Sequence, residues 1–540
     1  MTLLHSLLDD PLIRVRQRAD GAHGQLTLPE LFVAFAADEV RDFPALRPHQ
    51  RHPWHAFLVQ LAAIALHHQG VDQPMVSAAQ WRDALLDLTP QQPDGAAWCL
   101  ISPIDQPAFL QPPVPEGSLA GWKSDQATPD AMDLLVTSKN HELKQERMAV
   151  AAPDDWIFSL VSLQTAGPYP GSGNHGVARM NGGSSSRPGV GVSPPGGVGA
   201  RWARDLTIAL ASRDAIAKTH GYRVDGGVGL LWLLAWDGKS ELSLGNLDPL
   251  FIEVCRRIRL REQNGQLLLL RTSSEKQRIA KAETGKKHGN TGDLWTPVSK
   301  VGAKSLGVSA TGFNYKRMCE LAFPTAWQAP PAQQLQPSDD REGLRLVARA
   351  IAGGNSKTDG YHERQVPLRS NMRRLLVRGD IGLLERVASE RVDAVGRIHQ
   401  QLHSALEVLL DNGKERPRKD LPDSLRNKAR TFAKEFERAE DLIFFDALSE
   451  EIEAAPEARE AIRLRWLLDM ADRARRVLEQ AFSAGPRSAE PRYRARAAAR
   501  SRLEGGLRST KILPALAEHY RQERLSKENN DDGNRDRAEP

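Results

Sequence analysis

The sequence predicts an α+β fold: a large mixed N-terminal domain over residues 1–370, an all-α four-helix bundle over 371–520, and an unstructured tail over 521–540. Three observations carry this. Strand-like and helix-like patterns alternate irregularly through the first two thirds of the chain. Helical periodicity dominates from about residue 340. The closing stretch "RQERLSKENNDDGNRDRAEP" is nearly free of hydrophobes and cannot bury enough apolar surface to offset its ordering entropy. A chain of 540 residues is long enough for about two to four domains.

Taken in order, "LIRVRQ" (residues 12–17) alternates apolar and charged residues as a half-buried strand does. Leu26–Leu28 reads as strand, and Pro29 is placed to open a helix. "HPWHAFLVQLAAIALHHQG" predicts an amphipathic helix ended by Gly70, and "SAAQWRDALLDL" predicts another capped by Ser77. "SPIDQPAFLQPPVPEG" has too much proline for regular structure. Residues 171–199 are glycine-rich and broken by Pro188, Pro194 and Pro195, and "ARWARDLTIALAS" then returns to helix. "GVGLLWLLAW" fits a buried strand or a short helix, and "QLLLLRTS" a strand.

Further on, "REGLRLVARAIA" reads as a helix ended by Gly353 and Gly354. Four long helical patterns complete the bundle, the last running from "SAEPRYRAR" to "LAEHY". In the second of them Leu425, Ala429, Phe432 and Phe436 share one face.

Composition narrows the function classes. No apolar run approaches the roughly 18 residues of a spanning helix, and the opening is too acidic for a signal peptide, so a cytoplasmic protein with no membrane partner is expected. Cys99, Cys255 and Cys319 lie far apart, which argues against a disulfide framework or a cysteine-rich metal site. The net charge of +5 permits a polyanionic partner without requiring one.

Five clusters are candidates for chemistry. His49, His52 and His55 have a spacing that could line one helix face, yet Pro53 interrupts it and no acidic or cysteine ligand is near, so no metal is expected. The glycine stretch fails both phosphate motifs: Pro194 stands where a dinucleotide fingerprint needs its third glycine, and no GxxxxGK[ST] occurs. A linker, a surface loop and a nucleic-acid-contacting loop remain open, with Arg179, Arg187 and Arg201 flanking it.

"DLLVTSKNHELK" offers Thr137, Ser138, Lys139, Asn140 and His141 as hydrogen-bonding groups, or as a plain strand end and turn. Lys281, Lys286, Lys287 and His288 sit among glycines in a basic loop that could reach a phosphate or remain solvated. Arg492, Arg496 and Arg500 repeat at i, i+4, where like charges destabilise an isolated helix unless they face something acidic. There is no GxSxG, no HExxH and no nucleophile–base constellation, so binding is favoured over catalysis and no cofactor is expected. Two rivals stand beside a binding role. One is an enzyme using His49, His52 and His55 or His141, and the other is a scaffold in which 171–199 is a linker.

The order of these pieces is more informative than any one of them. "LLHSLLDDPLIRVR", "QPAFLQ", "LLVTSKNH", "MNGGSSSRPG", a basic loop before "GDLWTP", the "IAGG" turn and a terminal bundle follow one another along most of the chain. This arrangement resembles the CasA family, the large subunit of Cascade, the type I-E CRISPR surveillance complex.

The resemblance implies a non-catalytic subunit that reads the protospacer-adjacent motif (PAM) on double-stranded DNA, largely from the minor groove. It implies that a wedge at a turn starts strand separation for R-loop formation. Its implied partners are target DNA, the crRNA, the other Cascade subunits and a helicase–nuclease recruited to the target. Carried over by motif, the glycine loop falls on Asn181, Gly182, Gly183 and Ser184, and the lysine finger on Lys286 or Lys287. The wedge falls on Lys357 and Thr358 with Ser356, and the crRNA and tethering loop on Leu135, Val136, Thr137, Ser138, Lys139 and Asn140. The bundle, with Arg492, Arg496 and Arg500, would meet small subunits and the displaced strand. Two departures stand out. Some relatives carry Asn and Gln at the wedge, where this chain has Lys and Thr, which leaves the motif it reads open. Some carry a CxxC-type cluster that this chain lacks, so no zinc is expected.

Overall fold

The structure, a computed structural model, describes residues 3–535 except 125–126, 136–147, 170, 181–184, 324–325 and 355–356. The chain divides into two compact units. One comprises Met1–Phe313 and Glu320–Pro367, the other Asn314–Cys319 and Leu368–Pro540.

The first unit is organised around the helix Arg51–His68. Fourteen of its residues are buried, from His52 to Leu66. The pattern read as amphipathic is therefore a helix covered nearly all round, because "AFLVQLAAIAL" has no polar face. Trp54 packs edge-on against Phe43 and Phe158, and Phe32 stacks near Trp81 and Trp202. These rings join the helices Leu28–Ala36, Ala78–Asp87, Pro153–Ala166 and Val198–His220 to one core. Local signals set several ends. Thr27 and Glu30 make a reciprocal capping box with Pro29 in the first turn, Ser77 and Gln80 do the same, and Gly70 takes φ 68° after the central helix.

Most of the strands are short, and they form several small antiparallel sheets among the described residues, with one parallel pair (Val228–Leu230 beside Leu247–Ile252). Buried glutamines tie the ends of these sheets together. Gln111 donates to the carbonyls of Leu100 (2.9 Å) and Phe109 (3.2 Å) and accepts from Leu260 N (2.6 Å). Gln60 donates to Leu250 O and Phe251 O, both at 3.0 Å. The second glutamine of "QPAFLQ" thus serves the core.

Two expectations change in this unit. "RLVARAIAGG" is a strand, Arg345–Gly354, paired with Lys357–Pro367 in a long hairpin. Small residues at 348, 350 and 352 suit helix and strand alike, and pairing on both sides decides for strand. The glycine stretch is no linker: Gly189–Ser193 is the edge strand of that same sheet, antiparallel to Arg345–Arg349. Gly197 and Gly199 open the helix Val198–His220, whose free amides at Gly197 and Ala200 donate to the Asp38 carboxylate at 2.9 Å.

The second unit contains the helices Gly382–Leu410, Asp423–Glu453, Arg459–Gln480 and Ala489–Leu507. Leu402, Leu406, Phe436, Phe444, Met470 and Leu503 are among its buried residues. Two details differ from the expected bundle. The last helix stops at Leu507, and another begins at Pro514. That helix continues to Arg535, through most of the stretch expected to be an unstructured tail. Glu518 with Arg521, three residues on, supports it locally.

Candidate nucleic-acid interface

One sheet in the first unit brings together the described flanks of two of the predicted elements. The two strands pair as far as Gly354 with Lys357, next to Gly353 with Thr358. The glycine strand runs antiparallel to the first hairpin strand, so the segment before it leaves toward the hairpin tip. Ser186 marks that path: its amide donates to Ile351 O (2.9 Å), and Ile351 N donates to its hydroxyl (2.8 Å).

The seat of this strand is the segment Gly292–Pro297. Arg187 makes a buried bidentate pair with Asp293 at 2.5 and 2.9 Å. Val190 N donates to Trp295 O (2.8 Å), and the Thr296 hydroxyl donates to Pro188 O (3.0 Å). Asp293 also accepts from Trp295 N at 3.0 Å, which fixes the turn that presents Trp295. "GDLWTP" is therefore a clamp on the glycine strand. Gly189 allows the close fit: a Cβ there would lie 2.3 Å from the His52 ring.

The basic loop joins the same neighbourhood. Ser305 N donates to His288 O (3.1 Å), and Val308 N donates to the Ser185 hydroxyl (3.4 Å), so one segment bridges the lysine loop and the foot of the glycine loop. The two candidate lysines differ. Lys287 Nζ donates to His220 O (3.0 Å), at the carboxyl end of the helix Val198–His220, where a cation is favoured. Lys286 is exposed.

Asn181, Gly182, Gly183, Ser184, Ser356 and Val136–Asn140 lie outside the described residues. Their flanks are described. Lys357 opens the second hairpin strand, and Thr358 beside it is buried. Leu135 N donates to Asp133 (2.9 Å), and buried Asp133 also takes Arg47 (2.6 Å) and His49 (2.9 Å).

That pairing disposes of the histidine trio as a ligand set. His49 holds Asp133, whereas His55 Nε2 holds Asp205 at 2.8 Å, and Trp295 Nε1 donates to the same carboxylate at 2.9 Å. Both ring nitrogens of His52 are buried without a hydrogen-bond partner, edge-on to Trp295. Burial, reinforced by the charge of Arg187, holds His52 well below its ordinary pKa; burial and then Arg201 lower His55 to about 4. Both rings are neutral. Among the described residues no group of three His, Cys, Asp or Glu could hold a metal ion.

In the second unit, Arg496 and Arg500 lie over the Phe482 ring at 5.1 and 4.9 Å, and Arg492 over Tyr493 at 5.2 Å. Arg500 also pairs with Glu479 at 3.4 Å. The i, i+4 repeat is thus partly offset by cation–π stacking on neighbouring rings. The sequence held a signal for this in Phe482, in the "AFSAG" turn.

The fold has solved counterparts. A Cse1 protein of Acidimicrobium ferrooxidans superposes with TM-score 0.60 and 16% identity over 96% of this chain and 99% of that one. CasA (Cse1) of Thermus thermophilus gives 0.62 and 14% over 94% and 99%. The chain has the Cse1 fold. Cse1 of Thermobifida fusca agrees, at 0.59 and 15% over 95% and 98%. No protein-family model and no curated protein matches the sequence. The Cse1 likeness spans both units, so the α+β class and the helical C-terminal region are shared features.

Proposed function

We propose that this protein is the large, non-catalytic DNA-recognition subunit of a CRISPR RNA-guided surveillance complex. In this role it reads the PAM on duplex DNA, begins strand separation and recruits the helicase–nuclease. The observation that carries the reading is the shared end of one sheet. The strand ends Gly354 and Lys357 and the foot of the glycine loop at Ser186 lie at one end of it, in a chain whose Cse1 fold extends over nearly its whole length.

The physical scheme is coherent. The minor groove displays a degenerate code that a side-chain-free loop can test by shape. A wedge must offset unstacking of a few kcal/mol per step, and the paired strands behind residues 355–356 are a stiff support for one. With Thr358 buried, Lys357 and Ser356 carry the wedge assignment. Exposed Lys286 is the phosphate-contacting lysine, and Lys287 orients its loop. Asp133, held by Arg47 and His49, anchors the foot of the crRNA and tethering loop.

The test uses the assembled complex. Gly182 and Gly183 replaced by bulky residues should weaken binding to PAM-bearing duplex far more than to single-stranded target; equal losses would remove the groove role. Lys357→Ala should slow R-loop opening while initial duplex engagement survives. Purification from the host should bring down a repeat-derived small RNA, and its absence would remove the complex altogether.

A further inference from the structure

A cavity of about 540 Å³ in the first unit, separate from the hairpin tip, is surrounded by more positive charge than the protein neutralises. Six arginines line it: Arg16, Arg41, Arg51, Arg201, Arg345 and Arg349. Three carboxylates answer them. Asp42 takes Arg16 at 2.6 Å with Arg41 at 3.8 Å, and Glu363 takes Arg349 at 3.2 Å with Arg51 at 3.9 Å. Asp205 lies 3.9 Å from Arg201 and is already shared with His55 and Arg204. Among the described residues, the Arg345 guanidinium meets only the Gln365 amide oxygen, at 3.4 Å.

Arg201 is the decisive residue. It is 6% exposed, its Nε is buried without a hydrogen-bond partner and comes no nearer to a carboxylate than the 3.9 Å to Asp205, and no hydrogen bond from its guanidinium is found among the described residues. Leaving a buried, charged donor unsatisfied costs several kcal/mol, so such a group marks a site where a partner belongs. Burial and the neighbouring charge of Arg349 lower its pKa to about 10, which still leaves it protonated at neutral pH. The missing partner is an anion. Guanidinium forks match phosphate oxygens in pairs, and a second wall of Phe35, Phe43, Leu46 and Trp54 is apolar. The volume falls within the roughly 300–1,000 Å³ of small-molecule sites.

We propose that this cavity binds the phosphate of a nucleotide, with Arg201, Arg345 and Arg349 on the phosphate and the apolar wall against the sugar or base. The phosphate belongs either to a free nucleotide or to the terminal nucleotide of a strand. The inference stands on this cavity alone and does not depend on PAM reading.

Calorimetric titration of the full chain with adenosine 5′-monophosphate, adenosine and inorganic phosphate tests it. The monophosphate should bind at least about tenfold more tightly than adenosine, and Arg201→Gln and Arg345→Ala should each weaken it about tenfold. Arg345 and Arg51 are exposed, so Arg345→Ala and Arg51→Ala decide the matter should Arg201→Gln fail to fold. A short RNA with a 5′-phosphate binding more tightly than its 5′-hydroxyl form, with the difference lost in Arg345→Ala, would assign the strand end. Equal RNAs beside a binding monophosphate would assign the free nucleotide. The proposal is overturned if the monophosphate binds no better than adenosine or than inorganic phosphate, or if neither exposed-arginine variant moves its affinity.

Discussion

Gly189 is a glycine because the ring of His52 occupies the space its Cβ would need. Gly189→Val should therefore cost about 3 kcal/mol, the upper part of the overpacking range, in chemical denaturation. Adding His52→Ala should recover part of the loss, and a double variant no better than the single would remove this explanation. The neighbouring imidazoles make stability depend on pH. In the unfolded chain His55 titrates near its ordinary 6.5, while burial and Arg201 hold it at about 4 in the folded one. The unfolded state thus binds more protons between these values. The contribution of His55 is complete above pH 6.5 and falls as pH drops toward 4, by up to about 1.4 kcal/mol per pH unit. His55→Gln should flatten the acid limb of a melting-temperature profile. Glu253, raised to about 7 by burial, acts in the opposite sense between pH 4.5 and 7, so the comparison is variant against parent. At the basic loop, Lys286→Ala should lower the salt slope of duplex binding by about one and leave the melting temperature unchanged. An unchanged slope would take Lys286 off the phosphate.

At the scale of elements, the glycine strand is held by a buried ion pair, and its two halves should not behave alike. Removing Arg187 strands Asp293 in the interior, so Arg187→Ala should cost about 3–5 kcal/mol. Arg187→Met with Asp293→Leu should cost much less, and equal costs would mean that packing alone holds the clamp. This clamp also shows where sequence reading stops. The order of motifs placed "MNGGSSSRPG", "GDLWTP" and "IAGG" in one family arrangement, but nothing local joins Arg187 to Asp293 across about a hundred residues. Strong local signals were legible: the capping boxes at Thr27 and Ser77, the stop at Gly70 and the first three long helices of the bundle. The segment Arg345–Gly354 was misread because alternating small residues satisfy two periods at once, and only its partners Gly189–Ser193 and Lys357–Pro367 choose between them. Glycines read as freedom proved to be close approaches, at Gly189 to His52 and at Gly199 to Phe35 O.

At the scale of the whole molecule, the division into two compact units has an energetic consequence. Each unit has its own buried set: Trp54, Leu58 and Trp202 in the first, Leu406, Phe436 and Met470 in the second. Units with separate cores unfold as separate cooperative transitions. Calorimetry of the full chain should resolve two, and a single substitution in each core should assign them. Leu58→Ala and Leu406→Ala both delete a fully buried side chain and should each cost about 2–5 kcal/mol. The first should lower only the transition of the mixed α/β unit, the second only that of the helical unit. If either variant displaced both transitions equally, the chain would melt as one cooperative body. Loading of the arginine-lined cavity gives the assignment an independent handle. A phosphate ligand bound between Arg201 and Arg345 stabilises only the unit that holds it, so it should raise the transition that Leu58→Ala lowers.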